Sequence, residues 1–184
     1  MIDMLKTKDI LDEKDKRLRM ISKEVIFPLT DEDKTNIKLM EEYLENSQIE
    51  ELAEKYDLRA GMGMAAVQIG VLKRYIVIVN ETENGFDKYI VINPKIVSNS
   101  EEKIYVTDGE GCLSVNRDCE GIIPRYARVT VEGYDINGNK VKIRAREEVA
   151  IAFQHEIDHL DGILFFDHID KNNPYKGKDI YRAI

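Results

Sequence analysis

The chain has 184 residues, of which 35 are acidic and 27 basic, so its formal net charge is −8. This length suits one domain, and a hydrophobic fraction of 43% favours a folded core over disorder. The acidic balance argues against a nucleic-acid-binding surface spread over the whole domain, although a local basic patch is compatible with it.

No apolar run approaches the roughly 20 residues needed to cross a bilayer, and the longest clean one is Tyr75–Val79. The charged N-terminus lacks the apolar core of a signal peptide. We therefore expect a cytoplasmic protein that does not contact membranes. Cys112 and Cys119 set no disulfide framework. In a reducing compartment, each could be a small buried hydrophobe, a nucleophile or a metal ligand.

The first predicted element is a helical region that begins at Thr30, which precedes three acidic residues and so resembles a helix cap. Apolar residues then recur at helical intervals, which predicts one long or broken amphipathic helix over about 31–56 that covers the core. The following segment, Gly61–Gln68, has two glycines in three residues. It predicts a turn or a close approach by another group, but its spacing does not fit a dinucleotide fingerprint.

The middle of the chain predicts a sheet. Segments rich in Val, Ile and Tyr predict strands over 74–80, 88–93, 103–107, 129–134 and 140–145. Pro94 is expected to end the second strand, and Asn137-Gly138 predicts a hairpin between the last two. A helix is predicted over about 147–160. Consecutive strands followed by a late helix favour an α+β fold with an antiparallel sheet.

The late helix carries a possible metal site. It contains His155, Glu156 and His159, and two of the three histidines in the chain are therefore four residues apart. At that spacing both imidazoles lie on one face of a helix and can bind one metal ion, while Glu156 can act as a base on a bound water. The alternative is a helix that carries two surface histidines by chance.

Catalytic metal sites usually have three protein ligands. The best candidate for the third is Cys112, which lies between Gly111 and Leu113; Cys119 and Asp161 are alternatives without that glycine-flanked setting. A thiolate with two imidazoles suits Fe²⁺, Zn²⁺, Ni²⁺ or Co²⁺ rather than Mg²⁺ or Ca²⁺.

Three segments, Gly61–Gln68, Glu110–Ser114 and Gln154–Leu160, resemble the three signature motifs of the peptide deformylase family in order and spacing. The length and the segment before the first motif resemble the bacterial type 2 subclass, which lacks a long C-terminal helix. The resemblance implies a single catalytic domain over 1–184, with antiparallel sheets packed around a central metal-binding helix. It also implies metal-dependent hydrolysis of the N-formyl group of formyl-methionyl nascent polypeptides, with release of formate.

The resemblance assigns roles to individual residues. Cys112, His155 and His159 would bind the metal, which is natively Fe²⁺ and replaceable by Zn²⁺, Ni²⁺ or Co²⁺. Glu156 would be the general acid and base. Gln68 and the backbone N–H of Leu113 would hold the oxyanion.

The resemblance extends to the substrate and to the surroundings of the site. Gly63 would lie beside the bound peptide, and Met62, Ile151 and Ala152 near the slot for methionine. Glu110 and Arg125 resemble a charge pair that orders the site. The ribosome is an implied transient partner, without sequence-specific nucleic-acid binding. Tail residues Lys171, Lys176, Lys178 and Arg182 could touch RNA, although we expect this tail to be solvated and poorly ordered.

Two features depart from the family pattern. Val67 stands where the family commonly has proline, so we expect a somewhat altered loop with no lost ligand. Arg117-Asp118-Cys119 is unfamiliar and is expected to alter the rim where downstream peptide residues bind.

Two other functions compete with this interpretation. One is a small zincin-like endopeptidase, against which Cys112 counts because such enzymes generally use His or a carboxylate as third ligand. The other is a non-catalytic relative that binds peptide or ribosome. The intact ligands, base and Gln68 count against it.

Overall fold

The computed structural model describes residues 4–184. The predicted helical region over 31–56 is confirmed and consists of two helices. Helix α1 (Asp31–Gln48) is followed by α2 (Glu50–Tyr56), with the break at Ile49. Thr30 caps α1: its hydroxyl accepts a hydrogen bond from the Asp33 backbone N–H at 3.1 Å. The third helix, α3 (Glu147–Leu160), has the predicted bounds.

The strands form two sheets. Those of the first sheet, all antiparallel, are β1 (Gly63–Ala65), β2 (Tyr75–Thr82), β3 (Gly85–Asn99), β6 (Arg128–Tyr134) and β7 (Lys140–Arg146), in the order β1-β2-β3-β6-β7. The second sheet has the order β5-β4-β8, with β4 (Lys103–Tyr105), β5 (Arg125–Tyr126) and β8 (Arg182–Ala183). The α+β prediction and the predicted strands are thereby confirmed.

The prediction that Pro94 ends a strand is wrong. Strand β3 continues through Pro94 to Asn99, and its register against β6 shifts between Ile92 and Lys95. A bulge interrupts the hydrogen-bond ladder at this point, so the N–H that proline lacks is not needed there.

The prediction of a poorly ordered tail is also wrong at its end. Strand β8 pairs with β4 in parallel, and the Ile184 N–H donates to the Tyr105 carbonyl at 3.0 Å. The Arg182 guanidinium reaches carboxylate oxygens of Glu102 and Glu147, each at 2.8 Å. A strand edge with free backbone groups and two carboxylates therefore holds these residues in place.

The apolar run Tyr75–Val79 lies in β2. Both faces of this strand are buried, because helices cover both faces of the sheet there. Tyr75 and Val77 face the cluster that includes α1, whereas Ile76 and Ile78 face the cluster that includes α3. All four side chains have no exposed surface. Between residues 4 and 184, no helix combines the length and apolarity needed to span a bilayer.

The cap of α1 provides a test of stability against pH. The Asp33 carboxylate accepts hydrogen bonds from Lys73 Nζ at 2.7 and 2.8 Å. Burial raises the pKa of Asp33, but the hydrogen bonds from Lys73 and Thr30 outweigh this and lower it. Asp33→Asn is expected to cost about 1–2 kcal/mol of unfolding free energy at pH 7, since it removes a charged hydrogen-bond partner.

A lowered carboxyl pKa stabilises the fold at neutral pH, and this contribution is lost as the pH falls through the folded-state pKa. The difference between wild type and Asp33→Asn in urea unfolding should therefore shrink below about pH 4. Asp31→Asn is the matched control, because that side chain is fully exposed in the same helical turn. A difference that stays constant down to about pH 2 would contradict the assignment.

Candidate metal centre

Helix α3 presents the two predicted histidines on one face, inside the protein. His155 and His159 are one helical turn apart, and their ring centroids are separated by 5.0 Å. Cys112 comes from the loop before β5, and its Sγ lies 3.3 Å from Nε2 of His159. The candidate ligand atoms of the three residues all lie within 4.8 Å of one another, and all three residues are buried.

The donor set fits a divalent transition metal. A thiolate and two imidazoles are the ligand types preferred by Fe²⁺, Zn²⁺, Ni²⁺ and Co²⁺. Burial, reinforced by the nearby His155, lowers the pKa of His159 well below its usual value. A neutral imidazole is the form that binds metal. The alternatives Cys119 and Asp161 do not belong to this group of ligand atoms.

Glu156 lies beside the ligand cluster with an unpaired carboxylate oxygen. Its side chain is buried, and Oε2 has no hydrogen-bond partner among the described residues. Burial raises the pKa of Glu156 to about 7. Gly63 of β1 leaves the space for this carboxyl, because a Cβ at that position would lie 2.5 Å from Glu156 Oε1.

A buried chain of hydrogen bonds holds His155 in place. Its Nδ1 donates to Glu110 Oε1 at 2.9 Å, which leaves Nε2 to face Cys112. Arg125 donates to both oxygens of Glu110, at 2.8 and 3.0 Å, and to Asp158 at 2.6 Å. Burial raises the pKa of Glu110, but His155 and Arg125 together lower it to about 2. A ligating histidine oriented by a carboxylate is common in metal sites.

Sequence reasoning found Glu110 and Arg125 but missed two members of this network. Asp158 accepts from Arg125, and His168 Nε2 donates to the same Asp158 oxygen at 2.7 Å. Asp158 lies three residues after His155 on α3, so helical spacing could have placed the two side by side. Nothing in the sequence placed His168 near them.

Gln68 is fixed next to Cys112. It lies in the single helical turn Ala66–Ile69, and its Oε1 accepts a hydrogen bond from the Ala65 backbone N–H at 2.9 Å. Its Nε2 therefore points the other way, 3.1 Å from Ser114 Oγ and 3.7 Å from Cys112 Sγ. Ser114 was not predicted to take part.

A cavity of about 330 Å³ opens beside the candidate ligands. It brings together most of the predicted residues, namely Met62, Gly63, Gln68, Glu110, Cys112, Leu113, Ile151, Ala152, His155 and Glu156, and adds others that were not predicted, among them Arg59, Val106 and Glu148. The Leu113 backbone N–H makes no hydrogen bond within residues 4–184. His159 does not line the cavity and is almost fully buried.

The two departures from the family pattern, Val67 and Arg117-Asp118-Cys119, lie in different parts of the structure. Val67 is fully buried in the turn that carries Gln68, and it does not line the cavity. Arg117, Asp118 and Cys119 line an adjoining groove of about 520 Å³ that shares Glu110 and Cys112 with the cavity. They therefore lie beside the cavity, and their effect on the binding of downstream peptide residues stays a prediction.

The buried pair between Glu110 and Arg125 makes a testable contribution to stability. Arg125→Met is expected to lower the unfolding free energy by about 3 kcal/mol, because it leaves the Glu110 charge buried without its main partner. The double variant Glu110→Gln/Arg125→Met should recover part of this loss. Urea unfolding of chelator-treated protein measures both. The exposed Arg128, paired with Glu102, provides the control Arg128→Met, which should cost less than about 1 kcal/mol.

Comparison with known proteins decides the family. The sequence profile of the polypeptide deformylase family matches residues 7–175. The chain belongs to the polypeptide deformylase family. Peptide deformylase 2 of Bacillus anthracis is 48% identical over 177 residues, which is 96% of each chain. Peptide deformylase 2 of Bacillus subtilis is 48% identical over 174 residues, covering 94% of this chain and 95% of the relative.

The fold agrees with that of solved deformylases. The crystal structure of peptide deformylase from Ehrlichia chaffeensis superposes with a TM-score of 0.71 at 34% identity, over 89% of this chain and 88% of the other. The predicted resemblance to peptide deformylases is thereby confirmed. A polypeptide deformylase hydrolyses a formyl amide rather than an internal peptide bond, so the alternative hypotheses of an endopeptidase and of a non-catalytic protein lose their support.

Proposed function

We propose that Cys112, His155 and His159 hold the catalytic metal of a deformylase whose single catalytic domain spans residues 1–184. The chain removes the N-formyl group from nascent polypeptides, as its family does. The observation that carries the assignment is the convergence of the ligand atoms of these three buried side chains, beside a cavity that Cys112, His155 and Glu156 line. The expected native metal is Fe²⁺, and Zn²⁺, Ni²⁺ or Co²⁺ would substitute for it because the same donors suit all four.

Hydrolysis of a formamide needs a strong nucleophile at neutral pH, and the metal and Glu156 would share that task. A divalent metal held by these residues supplies a Lewis acid that lowers the pKa of a water molecule towards about 7. Glu156 would take the proton from the attacking water and return it to the leaving amine. Its unpaired Oε2 in the buried site supports this role.

Gln68 and Leu113 would stabilise the negative charge that develops on the formyl oxygen. The Ala65 N–H holds the Gln68 amide with Nε2 directed towards Cys112. The Leu113 backbone N–H is free to act as the second donor. Donors fixed in this way before the reaction stabilise the transition state without reorganisation.

The cavity walls would set the specificity. Gly63 would accept the peptide backbone beside Glu156, because the absence of a side chain lets a second backbone approach closely. Met62, Ile151 and Ala152 would form the slot for the methionine side chain, and Ile151 and Ala152 are almost completely buried. A formyl carbon carries only hydrogen, so narrow walls would exclude acetyl and larger groups.

The substrates are formyl-methionyl nascent chains, and we propose a transient contact with the ribosome in the cytoplasm. The decisive experiment is metal analysis of anaerobically purified protein, together with turnover of formyl-Met-Ala, acetyl-Met-Ala and an unblocked peptide. We expect about one metal per chain, release of formate from the first substrate alone, and loss of turnover after chelation. Cleavage of the unblocked peptide at an internal bond, or full turnover without metal, would refute the proposal.

A further inference from the structure

One face of the sheet is strongly basic, although the protein as a whole carries a net charge of −8. Strand β7 lies at the edge of the five-stranded sheet, and its four most exposed side chains are Lys140, Lys142, Arg144 and Arg146. Alternate residues of a strand point to the same face, with a spacing of roughly 6.8 Å. The four cations therefore form a row about 20 Å long.

Few acidic groups neutralise this row. Lys142 pairs with Glu132 at 3.0 Å. Lys140, Arg144 and Arg146 have no carboxylate within 4.0 Å in the described part of the chain. Arg146 also lies directly opposite Arg128 across the strand pair, and like charges in that position are destabilising.

The arginines border a groove suited to phosphate. A depression of about 360 Å³ between β3, β6 and β7 is lined by Arg144, Arg146 and Arg128, the last of which also pairs with Glu102 at 3.0 Å, together with Asn99, Ser100 and Thr130. Guanidinium groups bind phosphate oxygens through paired hydrogen bonds, and hydroxyl and amide groups make the usual accompanying contacts to phosphate and sugar.

We propose that this groove and the β7 row bind the phosphate backbone of RNA. A membrane surface fits less well, because none of the large exposed hydrophobic side chains among the described residues lines the groove. Charged side chains also protect edge strands from pairing, but that role requires neither the groove nor Arg128 opposite Arg146.

The basic face lies next to the catalytic site. Arg146 directly precedes α3, and Glu148 lines the catalytic cavity. RNA bound to the groove would therefore hold the cavity close to the RNA surface. That this RNA is ribosomal rests on the proposed function, whereas RNA binding itself does not.

The test compares two double variants that change the net charge equally. Arg144→Gln/Arg146→Gln removes two cations from the groove, and Lys176→Gln/Lys178→Gln removes two from the C-terminal segment. The probe is a short fluorescein-labelled RNA hairpin, with anisotropy measured at about 50 and 200 mM salt. The arginine variant is expected to bind at least about tenfold more weakly, with a salt slope reduced by about 1.5. The control variant Lys176→Gln/Lys178→Gln should bind RNA like the wild type.

Further measurements separate the alternatives. Arg144→Lys/Arg146→Lys keeps both charges and should retain most of the affinity, whereas unchanged turnover by Arg144→Gln/Arg146→Gln would exclude a folding defect as the cause of weaker binding. Three results would each overturn the proposal. They are equal RNA affinity of the wild type and Arg144→Gln/Arg146→Gln, tighter binding to phosphatidylglycerol vesicles than to RNA, and a loss of RNA affinity confined to Lys176→Gln/Lys178→Gln. Turnover of free formyl-Met-Ala should be the same in all variants. If the wild type lacks that turnover, the proposed function fails while the comparison of RNA affinities stands.

Discussion

Replacing Glu156 with glutamine is expected to lower kcat/KM for formyl-Met-Ala by about 10²–10⁴-fold, the range that general acid–base catalysis contributes. The amide has nearly the same shape as the carboxyl, but it cannot accept the proton of the attacking water. None of the three proposed metal ligands is touched, so the variant should keep about one metal per chain. Steady-state kinetics and metal analysis of the same preparation measure both quantities.

The control for this variant is Glu147→Gln, which makes the same change on the same helix. Glu147 pairs with Arg182 and does not line the cavity, so turnover should stay near that of the wild type. The Glu156 variant should also be no less stable than the wild type when metal-free, because an uncompensated buried carboxyl with a raised pKa opposes folding at neutral pH. Near-native turnover by Glu156→Gln would remove Glu156 from the mechanism.

Loss of Cys112 should have the second large effect. Cys112→Ala removes the only sulfur ligand of the proposed set, so the protein should bind metal weakly and lose at least about 10²-fold in turnover, because several kcal/mol of charge stabilisation depend on the ion. Metal content after gel filtration and formate release measure the two losses. Chelation of the wild type should reproduce the loss of turnover, and added Fe²⁺ under anaerobic conditions should reverse it.

The other cysteine of the chain is the matched control. Cys119 is partly exposed on the rim and is not in the ligand cluster, so Cys119→Ala should keep both metal and turnover. If Cys112→Ala retained a full complement of metal, another residue would have to supply the third ligand.

The sequence predicted those features that depend on nearby residues. The bounds of α3 and the pairing of His155 with His159 on one face follow from helical periodicity, and the cap at Thr30 is equally local. The glycine-flanked setting made Cys112 the best candidate for the third ligand, and the resemblance to the family strengthened that choice. Its distance from His155 in the chain says nothing about their distance in space.

The predictions that were wrong or missing depend on partners that the sequence does not reveal. A bulge at Pro94 depends on how β6 meets β3, and β8 exists because β4 offers an open edge. Similarly, the contact of His168 with Asp158 depends on how the turn Phe165–His168 packs against α3. None of these pairs can be recognised from local patterns of polarity.

The placement of the proposed ligands has a consequence for the dynamics of the chain. Cys112 lies on a loop, whereas His155 and His159 lie on a helix that belongs to the core, so a bound ion would act as a cross-link between them. Separating the loop from α3 would then cost the free energy of metal binding in addition to that of the protein contacts. Hydrogen exchange at the backbone amides of residues 110–114 should therefore slow towards that of α3 when metal is added, and it should return to its faster metal-free rate when the metal is removed.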